Sequence, residues 1–232
     1  MPEVIARAAS ERGELVLQRR DGALELRVNG VFVMDTEHTE TERLLAAETL
    51  RAVERDRLRV LIGGLGLGFT LREVLADERV AEAHVVEIEP DLIDWHRRGL
   101  VPDTAEALQD PRTRVSAGDV AEVLGEQEPC DVLLLDVDNG PDFLVYEDNS
   151  ALYEAAFLRR CAGALAPGGT LAVWSADTSE PLLAAMREVF GECAELAIPV
   201  SLGRRETTYH LFVSRKQVEF EQAGFEDSFE HQ

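Results

Sequence analysis

The stretch GGLGLGFTLREVL, residues 63–75, decides the fold of this chain. It follows the apolar run RVLI at 59–62, so a buried strand leads into a glycine-rich turn and then into a helix. Glycines at 64, 66 and 68 permit a tight turn and let a ligand approach the backbone without a Cβ atom in the way. The pattern predicts a site for a nucleotide or nucleoside, although glycine-rich turns also follow buried strands for packing reasons alone.

Strand and helix patterns alternate after residue 58. Apolar runs such as AHVVEIE, CDVLLLDV and GTLAVWSA are each followed by a helical segment. Such alternation implies right-handed crossovers and a parallel sheet, with the ligand at the carboxyl edge of the strands. We therefore predict an α/β domain over 58–216 that closes with the strands ELAIPVSL and TTYHLFVSR, joined by a short loop at 203–205.

The first 57 residues have a different pattern. GELVLQRR, ALELRVNG and VFVMDT predict three short strands, and the DG and NG pairs at 21–22 and 29–30 favour two-residue hairpin turns. A helical segment follows from Thr36. We predict a small antiparallel β-meander and a connecting helix over 1–57. The other terminal segment, 217–232, is an acidic tail for which disorder and docking on a neighbouring subunit are the alternatives.

The composition limits the class of protein. The 232 residues are 45% hydrophobic, enough to bury a core, and no apolar run approaches the roughly 20 residues that a bilayer core requires. The N-terminus lacks the apolar segment of a signal peptide. Three widely spaced cysteines suggest neither a disulfide framework nor a thiolate metal site. We expect a cytoplasmic protein with no membrane partner.

The charge balance bears on the partners. The chain has 23 basic and 45 acidic residues, a formal net charge of −22. Such a surface repels phosphate backbones and disfavours a nucleic-acid substrate. It allows a small cationic substrate, although acids also serve merely to keep a surface solvated. The five histidines show no metal-ligand spacing, so we predict no metal site.

Acidic residues follow the second and third strands of the α/β domain. Glu87 lies 19 residues after Gly68, close to the spacing at which a carboxylate accepts hydrogen bonds from ribose hydroxyls. Asp119, at a helix start, is suited to an adenine amino group, and equally to acting as a plain N-cap. The predicted nucleoside-binding residues are Gly64, Leu65, Gly66, Leu67, Gly68, Glu87, Ile88, Asp119, Val120 and Asp136.

The fourth strand ends in Asp136, with Asp138 two residues behind it. A carboxylate after five mostly apolar strand residues is costly unless it has a function or a partner. We therefore predict Asp136 as a catalytic residue.

The runs VLIGGLGLGFTLREVL, VVEIEPDLI, DPRTRVSAGD, DVLLLDVDNGP and LAPGGTLAVWS resemble, in order and spacing, the spermidine synthase family of aminopropyltransferases. The resemblance implies the Rossmann-like class I methyltransferase fold, a seven-stranded, mostly parallel sheet with helices on both faces behind a small β-domain. It also implies a homodimer and an adenosyl sulfonium ligand, with Glu87 on the ribose and Asp119 on the adenine. The ligand would be S-adenosylmethionine, its decarboxylated form or methylthioadenosine.

Two segments depart from the family pattern. The family loop is typically GGGDGG, and counting back from Leu71 places its Asp, which helps to hold the aminopropyl ammonium, at Leu67. The Tyr-His-Glu triplet of the family has no Tyr or His counterpart after the hairpins. DVDNGP replaces a DSSDP-like stretch, which keeps Asp136 and, by the resemblance, offers Asp138 as the second predicted catalytic acid.

These departures leave three functions. Methyl transfer to a small molecule is preferred, because Leu67 does not repel the carboxylate of intact S-adenosylmethionine. The first alternative is aminopropyl transfer, with Asp136 orienting an amine while acids such as Asp138 and Glu40 hold its other ammonium. The second is a non-catalytic nucleoside binder. On the preferred interpretation, putrescine turnover is poor, and Leu67→Asp reverses the preference between the two sulfonium ligands.

Overall fold

The computed structural model describes residues 2–125, 127–202 and 205–218. Within them the chain forms a four-stranded antiparallel sheet followed by a seven-stranded sheet. Most of the predicted acidic tail and two residues of the predicted 203–205 loop lie outside the described residues.

The N-terminal sheet confirms the predicted meander and adds one strand. Its strands pair in chain order and are β1 (Glu3–Ser10), β2 (Gly13–Arg20), β3 (Ala23–Val28) and β4 (Val31–Asp35). At both predicted turns the Asp or Asn and the glycine after it have positive φ, 51° and 99° at the first and 51° and 77° at the second. The sequence did not predict β1, because this edge strand is exposed at most positions and lacks a clear apolar alternation.

The large sheet has the strand order β10-β11-β9-β8-β5-β6-β7. Its strands are β5 (Leu58–Gly63), β6 (Val80–Glu87), β7 (Thr113–Ala117), β8 (Cys130–Leu135), β9 (Leu165–Ser175), β10 (Ala194–Leu202) and β11 (Arg205–Arg215). Pairing is parallel from β9 to β7, while β11 runs antiparallel to both β9 and β10. This topology confirms the predicted seven-stranded α/β fold.

The helices connect these strands. They are α1 (Glu40–Arg51), α2 (Phe69–Ala76), α3 (Pro90–Arg97), α4 (Ala105–Gln109), α5 (Val120–Val123), α6 (Ala155–Ala164) and α7 (Glu180–Phe190), with 3-10 turns at Pro102–Thr104 and Glu147–Tyr153. The predicted helix after β8 is split into a 3-10 turn and α6, and α4 was not predicted. No helix in the described part of the chain is long and apolar enough to cross a membrane.

Apolar clusters on the two faces of the large sheet form the core, and a third cluster joins the meander to the glycine loop and α3. After β5 the chain continues to β6 on one side of the sheet centre, and after β8 it continues to β9 on the opposite side. The carboxyl ends of β5 and β8 therefore form a topological switch point, where open α/β sheets bind ligands. The meander covers this point.

Candidate active site

A cavity lies at the switch point, between the carboxyl edge of the large sheet and the meander. Its apolar wall includes Leu15, Leu26, Val28, Val33 and Met34 from the meander. Its carboxyl side chains are those of Glu42, Glu87, Glu89, Asp119, Asp136 and Asp138. Among the described residues that line it there is no Lys or Arg. Such a cavity suits a neutral or cationic ligand and offers no cradle for a phosphate.

The glycine loop brings three parts of the chain together. Gly64, Gly66 and Gly68 have φ values of 93°, 50° and 83°, in the left-handed region that favours glycine. A Cβ atom at Gly64 would lie 2.0 Å from the carbonyl oxygen of Asp136, and one at Gly66 would lie 2.6 Å from the sulfur of Met34. Glycine at 64 therefore lets the loop after β5 approach the backbone of Asp136, and glycine at 66 leaves room for the Met34 side chain of the meander.

Leu65, Leu67 and Gly68 of the loop do not line the cavity. The Leu67 side chain is fully buried in the apolar cluster between the meander and α3, which includes Trp95. Its backbone amide lies 3.1 Å from the sulfur of Met34. The prediction that Leu67 faces the tail of the ligand is wrong, because the backbone turn at the flanking glycines directs its side chain into this cluster instead.

Glu87 lies at the end of β6 and is buried against the loop. Its carboxylate accepts hydrogen bonds from the backbone amides of Leu65 and Glu89, both at 2.8 Å. Burial raises the pKa of Glu87, and these amide bonds oppose that shift. A carboxylate has about four acceptor sites, so Glu87 can hold the loop and still accept a ribose hydroxyl.

Asp119 follows β7 and lines the cavity together with Ile88 and Val120. One of its carboxylate oxygens accepts the backbone amide of Ala121 at 2.8 Å, so Asp119 is the N-cap of α5. N-capping and an adenine contact are compatible here, because the carboxylate has further acceptor sites.

Asp136 directly follows β8 and lines the cavity. The hydroxyl of Thr70, at the start of α2, donates a hydrogen bond to its Oδ2 at 3.0 Å. Burial raises the pKa of Asp136 to about 6, and this hydrogen bond opposes the shift. The carboxyl therefore remains mainly ionised at neutral pH and can accept a proton.

Glu42 is a cavity residue that the sequence reasoning did not assign. It lies on the buried stripe of α1 with Leu45, Ala46 and Thr49, and its side chain reaches the cavity. Burial, followed by the charge of Asp136, raises the pKa of Glu42 to about 8. An acid at i, i+3, i+4 and i+7 spacing from buried residues is the signal that could have revealed it. Glu40, by contrast, is exposed and does not line the cavity.

Asp138 also lines the cavity, but its carboxylate holds the loop behind β8. It accepts the backbone amides of Asn139 and Val145 at 2.7 Å each, that of Tyr146 at 3.4 Å, and the side-chain amide of Asn149 at 2.7 Å. With four donors on one carboxylate, this geometry favours positioning of the loop over acid–base chemistry. A catalytic role for Asp138 stays a prediction.

Glu89 links three segments at one side of the cavity. The hydroxyl of Tyr146, in the loop behind β8, donates to Oε1 of Glu89 at 3.0 Å. Arg12, between β1 and β2, places its Nε 3.5 Å from the same oxygen and its guanidinium 4.4 Å from the centre of the Tyr146 ring. The meander, the β6–α3 loop and the loop behind β8 therefore meet over the cavity.

Residues 41–197, more than half of the chain, match the sequence model of the spermine/spermidine synthase domain. The chain belongs to the spermidine synthase family. Membership confirms the resemblance of the sequence motifs, and the matched segment contains Glu42, Glu87, Asp119 and Asp136.

Relatives in this family differ in the group that they are named for transferring. Polyamine aminopropyltransferase 2 of Pseudomonas aeruginosa is 34% identical over 142 residues, 59% of this chain and 38% of that protein. Putrescine N-methyltransferase 2 of Nicotiana tabacum is 30% identical over 155 residues, 65% of this chain and 39% of that protein. The chain thus spans less than two fifths of the length of either relative.

A solved structure shows the same fold. The crystal structure of spermidine synthase in complex with the transition state analogue AdoDATO matches with a TM-score of 0.78 at 20% identity, over 94% of this chain and 75% of that chain. The shared fold includes both the N-terminal sheet and the large sheet, since the match covers nearly the whole chain.

Proposed function

We propose that this protein transfers an aminopropyl group from decarboxylated S-adenosylmethionine to a small amine. The observation that carries the proposal is the pair of carboxyls in the cavity, the buried Glu42 and the partly buried Asp136, with no Lys or Arg among the described lining residues. Acids at this place attract ammonium groups and repel the carboxylate of intact S-adenosylmethionine. The polyamine aminopropyltransferase relatives support the same choice.

Some residues of the cavity bind the donor, and another transfers a proton. Glu87 holds the ribose, while Asp119, Ile88 and Val120 hold the adenine. The bound sulfonium supplies an electrophilic carbon next to its sulfur. Asp136 orients the acceptor amine and takes its proton, which frees the nitrogen lone pair for attack. The C–N bond would form as the C–S bond of the sulfonium breaks, and the sulfur would leave with the electron pair as methylthioadenosine.

Methyl transfer to an amine is the second candidate, because putrescine N-methyltransferases are also relatives. Its original support was Leu67, and that support is lost because the Leu67 side chain packs away from the cavity. A non-catalytic nucleoside binder is the third candidate. A homodimer and a cytoplasmic location stay predictions, and sedimentation of the purified chain tests the first.

Product analysis separates the three candidates. The purified protein is incubated with a diamine such as putrescine and either sulfonium donor, and the nucleoside product is identified by mass spectrometry. We expect methylthioadenosine from the decarboxylated donor, and loss of the product in Asp136→Asn. S-adenosylhomocysteine from the intact donor would instead establish methyl transfer. Binding of methylthioadenosine without any turnover would leave the non-catalytic candidate.

A further inference from the structure

Glu42 and Asp136 line the same cavity and interact electrostatically although they come from different parts of the chain. Thr70 connects them, because its hydroxyl donates to Oδ2 of Asp136 at 3.0 Å and lies 3.4 Å from the backbone oxygen of Glu42. The hydroxyl of Thr41 donates to Oε2 of Glu42 at 3.0 Å. The Glu42 side chain is buried, with 7% of its residue surface exposed, and within the described part of the chain no positively charged side chain forms a hydrogen bond or ion pair with it.

The charged groups that face Glu42 are acids. Asp136 approaches it from the end of β8 and Asp35 from the end of β4. Asp35 is itself paired with His38, whose Nδ1 lies 3.1 Å from Oδ2. Two neighbouring carboxyls, one buried and one partly buried, do not both ionise readily, so the pair retains a proton at neutral pH when no cation is bound. A cation bound between the two carboxyls would stabilise both of them in the ionised form, so the proton would be released.

We propose that Glu42 is a specificity-determining residue, and that Glu42 and Asp136 together form a site for one primary alkylammonium group, which displaces their shared proton. The inference rests on the proposed aminopropyl transfer. The ammonium is either the aminopropyl tail of the sulfonium donor or the amine of the acceptor. Intact S-adenosylmethionine brings a carboxylate with its ammonium and is disfavoured at this site, while methylthioadenosine has neither group.

Titration calorimetry in two buffers of different ionisation enthalpy tests the proposal, because the difference between the two heats gives the number of protons released. The ligands are methylthioadenosine, decarboxylated S-adenosylmethionine, and putrescine added to protein saturated with methylthioadenosine. At pH 7 we expect proton release with an ammonium ligand and none with methylthioadenosine. Glu42→Gln should abolish the release and weaken the ammonium ligand about 10-fold, the usual effect of losing a charged hydrogen-bond partner.

Two variants serve as controls. Glu37→Gln removes an exposed carboxyl five residues earlier in the chain and should behave as the parent. Glu42→Asp keeps the acid and should retain proton release. The affinity of each variant for methylthioadenosine reports whether the cavity is intact, and it should stay within about twofold of the parent, since a change that small is below 0.5 kcal/mol.

The arms of the experiment give distinct outcomes. If Glu42→Gln loses affinity and proton release only with the decarboxylated donor, the site binds the aminopropyl tail of that donor. If it loses them only with putrescine, the site binds the acceptor amine. Unchanged ammonium affinity and proton release in Glu42→Gln, with normal methylthioadenosine binding, would overturn the inference and leave the proposed function standing. If the parent protein does not bind methylthioadenosine at all, both the proposed function and this inference fail. No turnover is needed for any of these measurements.

Discussion

Leu67→Asp tests whether the side chain of this loop residue belongs to the core or to the ligand site. Leu67 is 0% exposed and lies in a cluster with Phe69, Leu92 and Trp95. Losing a fully buried leucine side chain costs about 1.5 to 3 kcal/mol. An unpaired polar group in its place adds about 1 to 3 kcal/mol. We expect a loss of roughly 2.5 to 6 kcal/mol, a large part of the 5 to 15 kcal/mol that typically stabilises a native protein.

Urea denaturation followed by circular dichroism measures this loss. Val4→Asp is the matched control, because Val4 is 50% exposed in β1 and a surface substitution usually changes stability by about 0.5 kcal/mol or less. Leu67→Ala separates lost packing from the added acid and should cost about 2 to 5 kcal/mol. A Leu67→Asp variant as stable as the parent, with a reversed preference between the two sulfonium ligands, would refute the placement of Leu67 in the core.

Three further predictions follow from the contacts around the cavity. Glu87→Gln should weaken methylthioadenosine binding and lower the free energy of unfolding, each by about 1 to 3 kcal/mol, because the new side-chain amide would point a donor at the backbone amides that Glu87 now accepts. Calorimetry measures the affinity and denaturation the stability, and unchanged values would remove Glu87 from the site. Asp138→Asn should speed hydrogen exchange in the loop behind β8, whereas Asp142→Asn, at an exposed position, should leave it unchanged. The raised pKa values of Glu42 and Asp136 make the folded state bind more protons than the unfolded chain, so unfolding free energy should fall as pH rises from about 5 to 8. Glu42→Gln should flatten this profile, and an identical slope in both proteins would contradict the assignment.

The site residues at strand ends could be predicted from the sequence. Glu87 and Asp136 each end or follow an apolar run, Asp119 follows the more polar strand TRVSA, and parallel strands bring their carboxyl ends to one edge of the sheet. For Glu87 and Asp136 the hydrophobic pattern therefore indicated both the strand and the position of the acid. All three line the cavity.

The remaining site features depend on tertiary contacts that no local pattern encodes. Counting along a related loop gave a position for Leu67 but not the direction of its side chain, which depends on the backbone at the glycines beside it. Glu42 reaches the cavity because α1 packs against α2, β8 and β9, elements distant from it in the sequence. The hydrogen bonds to Asp138 come from a loop without periodicity, so a sequence pattern could identify the acid but not its partners.

The contact between Gly64 and the carbonyl of Asp136 determines where this scaffold can evolve. Because a single added carbon at position 64 would collide with the backbone of the proposed base, the nucleoside loop and β8 can change only together. The opposite wall meets the cavity through side chains of the meander and α1, such as those of Val28, Val33 and Glu42, and a substitution of these side chains adds no Cβ atom against the backbone of β8. New acceptor preferences are therefore most accessible through substitutions in the meander and α1. A directed-evolution library should be placed there and should leave the glycine loop untouched.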